Sequence, residues 1–256
     1  MKTLSVIIPV YNDLAALKRL IGIIRCWDQQ PDEILVVVSC VKGCECRCEE
    51  FCQQKSVKYI KLHDACRGKQ LQAGAAEAKS EIYWFLHADA IPDSRSPFLI
   101  KKAIENGASG GCFKFEFSGI NTFKSKLFQK VIWLRSKLGV PYGDQGLFFS
   151  AQAYKKHGGI KPYPLFEEVE LVKRVKQTGK FNYLEIPLGV DPRKWEKDGW
   201  FKRSFINRVL AFGYWLGFSP KSLAALYYKA KKSKVKKSKV KKTKVKKENT
   251  GKNRCN

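Results

Sequence analysis

The sequence predicts an α/β fold with a mainly parallel sheet flanked by helices, and three observations predict it. Leu4–Val10, Glu33–Val38 and Glu81–Leu86 are short, nearly unbroken apolar runs. Strands buried on both faces of a parallel sheet read this way, whereas half-exposed strands alternate. Helix-periodic segments lie between these runs, and alternating strand and helix implies right-handed crossovers. Apolar residues make up 44% of the 256 residues, which supports a sizeable core in one large domain or two small ones.

The elements follow in order. After the first strand, Asn12 or Asp13 is placed to cap a helix carrying Leu14, Leu17, Ile21 and Ile24 at helical spacing. Glu33–Val38 and Ser56–Leu62 are the second and third strands. Gly68–Lys79 reads as a helix on Ala73, Ala75, Ala76 and Ala78, residues small enough to pack closely on a sheet. The strand Glu81–Leu86 cannot run on through Pro92 as an interior strand. Beyond Pro97 come a helix at Phe98–Asn106, a strand at Gly110–Ser118 with one wet face, and an amphipathic helix at Phe123–Leu138. A strand at Gly146–Ser150, a helix at Glu167–Thr178 stopped by Gly179, and a strand at Phe181–Ile186 follow. Aromatic-rich helices at Asp198–Phe218 and Ser219–Tyr228 come last.

Polar chemistry enters at the end of the Glu81–Leu86 strand. Ligands of open α/β sheets bind at the carboxyl ends of strands. His87 and Asp89 sit there, two residues apart and so pointing the same way. Asp89 either holds a divalent cation against a diphosphate or caps the turn that follows. Cys40, Cys44, Cys46, Cys48 and Cys52 crowd one short stretch, but their spacing lacks the paired knuckles of structural zinc sites. A loop and helix carrying surface thiols is the plainer reading. With no signal peptide and no apolar run of membrane-spanning length, a cytoplasmic protein with reduced thiols is expected.

Charge is extreme and uneven. The net charge is +26, and residues 229–256 hold 13 Lys and Arg254 against one Glu, which is half of it. The five-residue repeat of that tail matches neither helix nor strand, and its like charges repel, so disorder is expected. A solubilising tail, an anionic membrane surface and nucleic acid are its candidate roles, nucleic acid ranking last.

Taken together, the motifs resemble a known family. Ser5-Val6-Ile7-Ile8-Pro9-Val10-Tyr11-Asn12 looks like the opening of family-2 glycosyltransferases, and Arg67-Gly68-Lys69-Gln70-Leu71-Gln72-Ala73-Gly74-Ala75 is similar to their second nucleotide-facing element. Phe85-Leu86-His87-Ala88-Asp89 resembles their DxD-type metal motif. Tyr142–Gly146, Pro164–Leu171 and Arg193–Trp200 follow as in the subfamily associated with radical-SAM and selenodomain proteins. The resemblance spans residues 3 to about 228 and implies a GT-A-type nucleotide-diphospho-sugar transferase fold, with the tail outside it. It implies a nucleotide-sugar donor, a divalent cation (Mn2+ or Mg2+) and an inverting transfer. Asp89, with His87 beside it, is the implied metal holder, and His87 can serve only as neutral imidazole. Glu168 is the implied base, with Asp144 next; dipole complementation by Glu167, Glu168 and Glu170 in one helical turn is the competing account. Pro9, Tyr11, Arg67, Lys69 and Gln72 would face the nucleotide, and Arg193 and Lys194 would clamp the departing diphosphate.

One departure stands out. Where the family carries Val-Val-Asp-Gly-Gly-Ser, this chain has Val36-Val37-Val38-Ser39-Cys40-Val41, and a valine accepts no hydrogen bond from a base or ribose. A degenerate transferase fold that binds membrane or nucleic acid is therefore the alternative to the enzyme, with nucleotidyl transfer third. The acceptor is not legible; a lipid-linked one would suit peripheral attachment at the inner face of a membrane through the aromatic and basic residues 198–228 and the tail.

Overall fold

The computed structural model describes residues 1–39 and 47–227. Cys40, Cys44, Cys46 and the lysine tail lie outside the described residues. Two compact units divide the chain, Met1–Arg203 and Ser204–Asn256.

The first unit opens with β1 (Leu4–Tyr11), α1 (Leu14–Arg25), β2 (Glu33–Ser39), α2 (Cys48–Gln54), β3 (Lys58–Leu62), α3 (Arg67–Glu77) and β4 (Ile82–Phe85). Asp13 caps α1, its carboxylate accepting from the Ala16 N–H at 3.1 Å. β1 pairs in parallel with β2 and β4, and β2 with β3. The expected parallel half is therefore present. Next come β5 (Ala90–Pro92), α4 (Ser96–Glu105), β6 (Ala108–Phe117), α5 (Phe123–Leu138), β7 (Phe148–Ser150), α6 (Ala151–Lys156), α7 (Val169–Thr178), β8 (Lys180–Val190) and α8 (Arg193–Asp198). The sheet runs β3-β2-β1-β4-β7-β6-β8-β5. β7 enters antiparallel between β4 and β6, β6 and β8 pair in parallel, and β5 closes the edge antiparallel to β8. Pro92, which has no N–H for a ladder, thus sits in an edge strand, where it is tolerated.

Successive strand residues point to opposite faces, and here both faces are covered. Val6, Ile8, Val36, Val38 and Trp84 pack with Leu17, Leu20 and Ile24 of α1 and Ile100 of α4. Ile7, Leu35, Val37 and Phe85 pack with Leu71 and Ala75 of α3 and Leu171, Val172 and Val175 of α7. The small residues of α3 allow the closeness expected of them: a Cβ on Gly74 would lie 2.4 Å from Ile7 Cγ2.

Three sequence expectations are corrected. The wet face of β6 is confined to Lys114 and Glu116, because Cys112 and Phe113 both face packed layers. Cys48 and Cys52 are not surface thiols; α2 turns them into the core beside α1 and β3. Only Glu170 of the three acids lies in the first turn of α7; Glu167 and Glu168 precede it.

α9 (Trp200–Trp215) begins in the first unit, where Trp200 packs edge-on against Phe117 at 4.7 Å. Of the aromatics expected in that region, Trp200 therefore covers the sheet. In the second unit Phe212 stacks on Trp215, and a helical stretch at 220–227 brings Leu223 beside Gly213. Among the described residues no helix is long and apolar enough to cross a membrane.

Candidate active site

The site forms where β4 stops. Leu86 N–H still donates to Ile7 of β1, and Ala90 N–H donates back to the His87 carbonyl at 3.0 Å, closing a turn. That turn half-buries His87 and Asp89 at the carboxyl edge of the sheet. β5 then pairs Ala90 with Val190 in an antiparallel ladder, which brings the C-terminal end of β8 to this edge. Burial, then the Arg67 guanidinium, pushes the His87 imidazole pKa down, against the opposing pull of Asp89, Asp144 and Glu167. His87 is accordingly neutral, the form in which imidazole ligates metals.

A second segment arrives from α7. Phe166 has φ 59°, unusual for a bulky residue, and turns the chain so that Glu167 and Glu168 point inward. Their exposures are 1% and 3%. Gly68 makes the meeting possible, since a Cβ there would lie 2.3 Å from the Lys161 carbonyl oxygen. Arg67, the first residue of α3, donates from Nε to Glu167 Oε1. Burial alone would raise the Glu167 pKa, but the Arg67 charge and hydrogen bond outweigh it and hold the carboxylate ionised. Glu168 goes the other way: burial, reinforced by the Glu167 charge, pushes it up to about 8. Two adjacent carboxyl groups are thus driven apart, the usual mark of acid–base assignment.

A third segment is the 3-10 turn Gly143–Gln145. Gly143 N–H donates to Glu168 Oε1 at 2.9 Å. An atom at the Cβ position of Gly143 would lie 3.2 Å from His87 Nε2 and 3.7 Å from Glu168 Oε1, so these two side chains flank this glycine. Gln145 is fully buried; its amide donates to the Phe113 carbonyl at 3.2 Å and accepts from Ser136 Oγ at 2.6 Å. Its role is to lock the turn. Asp144 Oδ1, Glu167 Oε2 and Glu168 Oε2 are buried without a hydrogen-bond partner. Such atoms are costly to bury alone, and here they cluster at one place.

Residues 67, 87, 143, 144, 167 and 168 thus converge, and others do not. Pro9 is half-buried and Tyr11 exposed at the end of β1. Lys69 is exposed and pairs with Asp64. Gln72 donates to the Ile160 carbonyl at 2.8 Å and lines a separate cavity of about 460 Å3 with Tyr83 and Tyr154. Arg193 Nε donates to Asp191 at 2.6 Å rather than standing open for a diphosphate. The side chain of Lys194 lies outside the described residues. Val38 is buried in the core on the α1 side, so its methyl groups serve packing. Two residues were not legible as contributors. Gln70, buried at 3%, donates to the Val10 and Val37 carbonyls at 2.9 and 2.8 Å and ties β1 to β2 at the site edge. Its signal was a polar residue on the same helical stripe as Leu71, Gly74 and Ala75. Asp191, which follows β8 and pairs with Arg193 and Arg19, had no sequence signal.

Among the described residues no three His, Cys, Asp or Glu side chains are grouped to hold a metal ion. A cation that travels with a nucleotide does not need such a cage, because Mg2+-type ions take one or two carboxylates and fill their shell from phosphates and water. Asp89, neutral His87 and the partnerless oxygen of Asp144 fit that requirement.

Comparison with known proteins agrees with this architecture. Solved structures similar to the chain include glucosyl-3-phosphoglycerate synthase from Mycobacterium tuberculosis in complex with Mn2+, UDP-glucose and phosphoglyceric acid. That structure is 15% identical, with a TM-score of 0.57 over 82% of this chain and 79% of that one. The same enzyme with Mn2+, UDP and glucosyl-3-phosphoglycerate is also 15% identical, with a TM-score of 0.52 over 74% and 71%. S. aureus TarS 1–349 is 14% identical, with a TM-score of 0.54 over 76% and 62%. These likenesses show the shared GT-A fold. No curated protein sequence matches the chain. The family model Glycosyl transferase family 2 matches residues 5–158. With more than half of the chain matched, and the fold in agreement, this protein belongs to glycosyltransferase family 2.

Proposed function

We propose that the chain moves a glycosyl group from a nucleoside-diphosphate sugar to a hydroxyl acceptor, with inversion at the anomeric carbon. The observation that carries this is the buried Glu167–Glu168 pair, one carboxylate ionised by Arg67 and the other pushed up to about 8, beside His87 and Gly143. Glu168 removes the acceptor proton as the acceptor oxygen attacks. A carboxylate with a raised pKa is a stronger base, and general bases work best with a pKa near the operating pH. Gly143 N–H, donating to Glu168 Oε1, fixes the carboxylate and leaves Oε2 to the acceptor. Asp89, with His87 alongside, would hold a divalent cation, Mn2+ or Mg2+, which would supply the charge neutralisation that a leaving diphosphate needs. Asp144 orients the acceptor or the donor. Arg67 and Lys69 add positive potential at the rim, and Arg193 joins them once released from Asp191.

The similar structures with Mn2+ and UDP bound support this reading of the donor, as does the family. The order of the Tyr142–Gly146, Pro164–Leu171 and Arg193–Trp200 motifs supports the radical-SAM-associated subfamily. The acceptor is an unidentified hydroxyl compound; a lipid-linked one would suit contact of the basic surface with an anionic membrane, and nucleic acid ranks behind the membrane as a partner of that surface. A thermal-stability screen of UDP-, GDP- and dTDP-sugars with and without Mn2+ tests the donor reading, because a ligand that binds the folded state raises its apparent stability. At least one nucleotide should stabilise the native protein only with Mn2+, and Asp89→Asn should lose the effect. If no nucleotide shifts the melting curve in either condition, the transferase reading falls and a degenerate binding fold replaces it.

A further inference from the structure

α5 is amphipathic, as its sequence suggests, but the fold turns its apolar stripe outward. Phe123, Leu127, Val131, Leu134 and Leu138 recur every three or four residues, and their exposures are 83%, 49%, 40%, 59% and 80%. At about 100° per residue they occupy an arc of roughly 80° along the whole helix. The inward side is served by Ser125, Phe128, Ile132 and Ser136, two of them serines whose hydroxyls bond the helix's own carbonyls or the capping turn. Isolated exposed apolar residues are ordinary; five in register on one helix are not.

The flanks of the stripe say what covers it. Exposed Lys126 and Lys130 border one side and exposed Lys124 the other; Lys137 is paired with Glu185 at 3.0 Å and Arg135 is turned onto Tyr142, and the helix itself contains no Asp or Glu. An apolar ridge flanked by the exposed amines of Lys124, Lys126 and Lys130 matches an anionic lipid surface: the ridge enters the acyl boundary and the amines meet headgroup charge. We propose that α5 is a docking face for an anionic bilayer, with its axis in the membrane plane. This goes beyond attachment through the C-terminal tail, because it makes a rigid element of the transferase domain part of the contact. α5 also ends at the site. Arg135 lies over the Tyr142 ring at 4.0 Å, and Ser136 bonds Gln145 next to Asp144.

Co-sedimentation of full-length protein with phosphatidylcholine vesicles, with and without phosphatidylserine and in the absence of any nucleotide, tests this. Binding should require phosphatidylserine and weaken as salt is raised. Leu127→Glu combined with Leu134→Glu should weaken it by about tenfold or more, since both side chains lose apolar burial and add charge repelled by the lipid. Lys126→Glu with Lys130→Glu should act in the same direction, and neither pair should move the melting midpoint, because all four side chains are exposed. The proposal is overturned if both variants bind as the native protein does, which assigns attachment to the tail alone. Absence of binding to either vesicle overturns it too. So does a native dimer in light scattering that the leucine pair dissolves, which makes the stripe an interface between copies. With no nucleotide present, each of these outcomes leaves the transfer reaction untouched.

Discussion

Glu168 is buried beside a second carboxylate, which resists its ionisation, and the base role proposed for it ties its effect on stability to an effect on activity. Its pKa, ordinarily 4.5, is raised to about 8 in the folded chain by burial and by Glu167. The folded state therefore holds this proton more tightly than the unfolded chain does. The stability this contributes is complete below about pH 4.5 and is lost as pH rises through about 8. Glu168→Gln cannot ionise, so its melting midpoint should gain on the native protein's as pH is raised from about 6 to about 9. Melting curves across that range check it; a difference independent of pH would show that Glu168 is ionised throughout. The same substitution should leave donor binding intact and slow transfer by roughly two to four orders of magnitude. Near-normal turnover would move the base to Asp144. Native activity should climb toward about pH 8 as Glu168 deprotonates, and a metal-bound site should reach its plateau at lower pH, since a nearby cation favours the carboxylate.

At the scale of elements, α3 holds the site in place. Its closeness to the sheet depends on Gly74, where a Cβ would meet Ile7 Cγ2 at 2.4 Å and Val37 Cγ2 at 3.1 Å. Gly74→Val should destabilise by about 1–3 kcal/mol through overpacking, read as a lower denaturant midpoint at constant slope. Gln70→Leu should cost about 1–3 kcal/mol by leaving the Val10 and Val37 carbonyls without their buried donor. It should also weaken nucleotide binding, because the ends of β1 and β2 are then no longer tied. Unchanged nucleotide affinity in a destabilised Gln70→Leu protein would reduce Gln70 to a purely structural role. Gly143→Ala places a methyl 3.2 Å from His87 Nε2, and transfer should fall while the fold persists. The same scale explains why parts of the sequence misled. Helical periodicity shows that a segment has an apolar side but not where that side points, so the outward stripe of the amphipathic α5 is not legible until its neighbours are placed.

The whole molecule carries a net charge of +26, half of it in residues 229–256. Deleting that tail should leave the melting midpoint and the transfer rate unchanged while reducing the salt-sensitive part of vesicle binding; a large loss of stability would mean that the transferase domain extends into it. What the sequence by itself determined were the features set by local chemistry. Nearly unbroken apolar runs marked three of the four strands of the parallel half, alternating segments implied the crossovers, and Pro92 and the polar residues after Leu86 marked the strand end where His87 and Asp89 stand; the order β3-β2-β1-β4 came from the packed chain. Motif order pointed to the family. Tertiary structure alone decided which of these residues meet. The convergence of Arg67 with Glu167, and of His87 with Gly143 and Glu168, joins segments separated by up to 100 residues. It depends on the left-handed turn at Phe166 and the side-chain-free approach at Gly68. The raised pKa of Glu168, the inward turn of Val38, and the diversion of Gln72 and Arg193 to Ile160 and Asp191 follow from burial and from which partner lies nearest. Those are properties of the packed chain, because desolvation and pairing act through space and the sequence records only order along the chain.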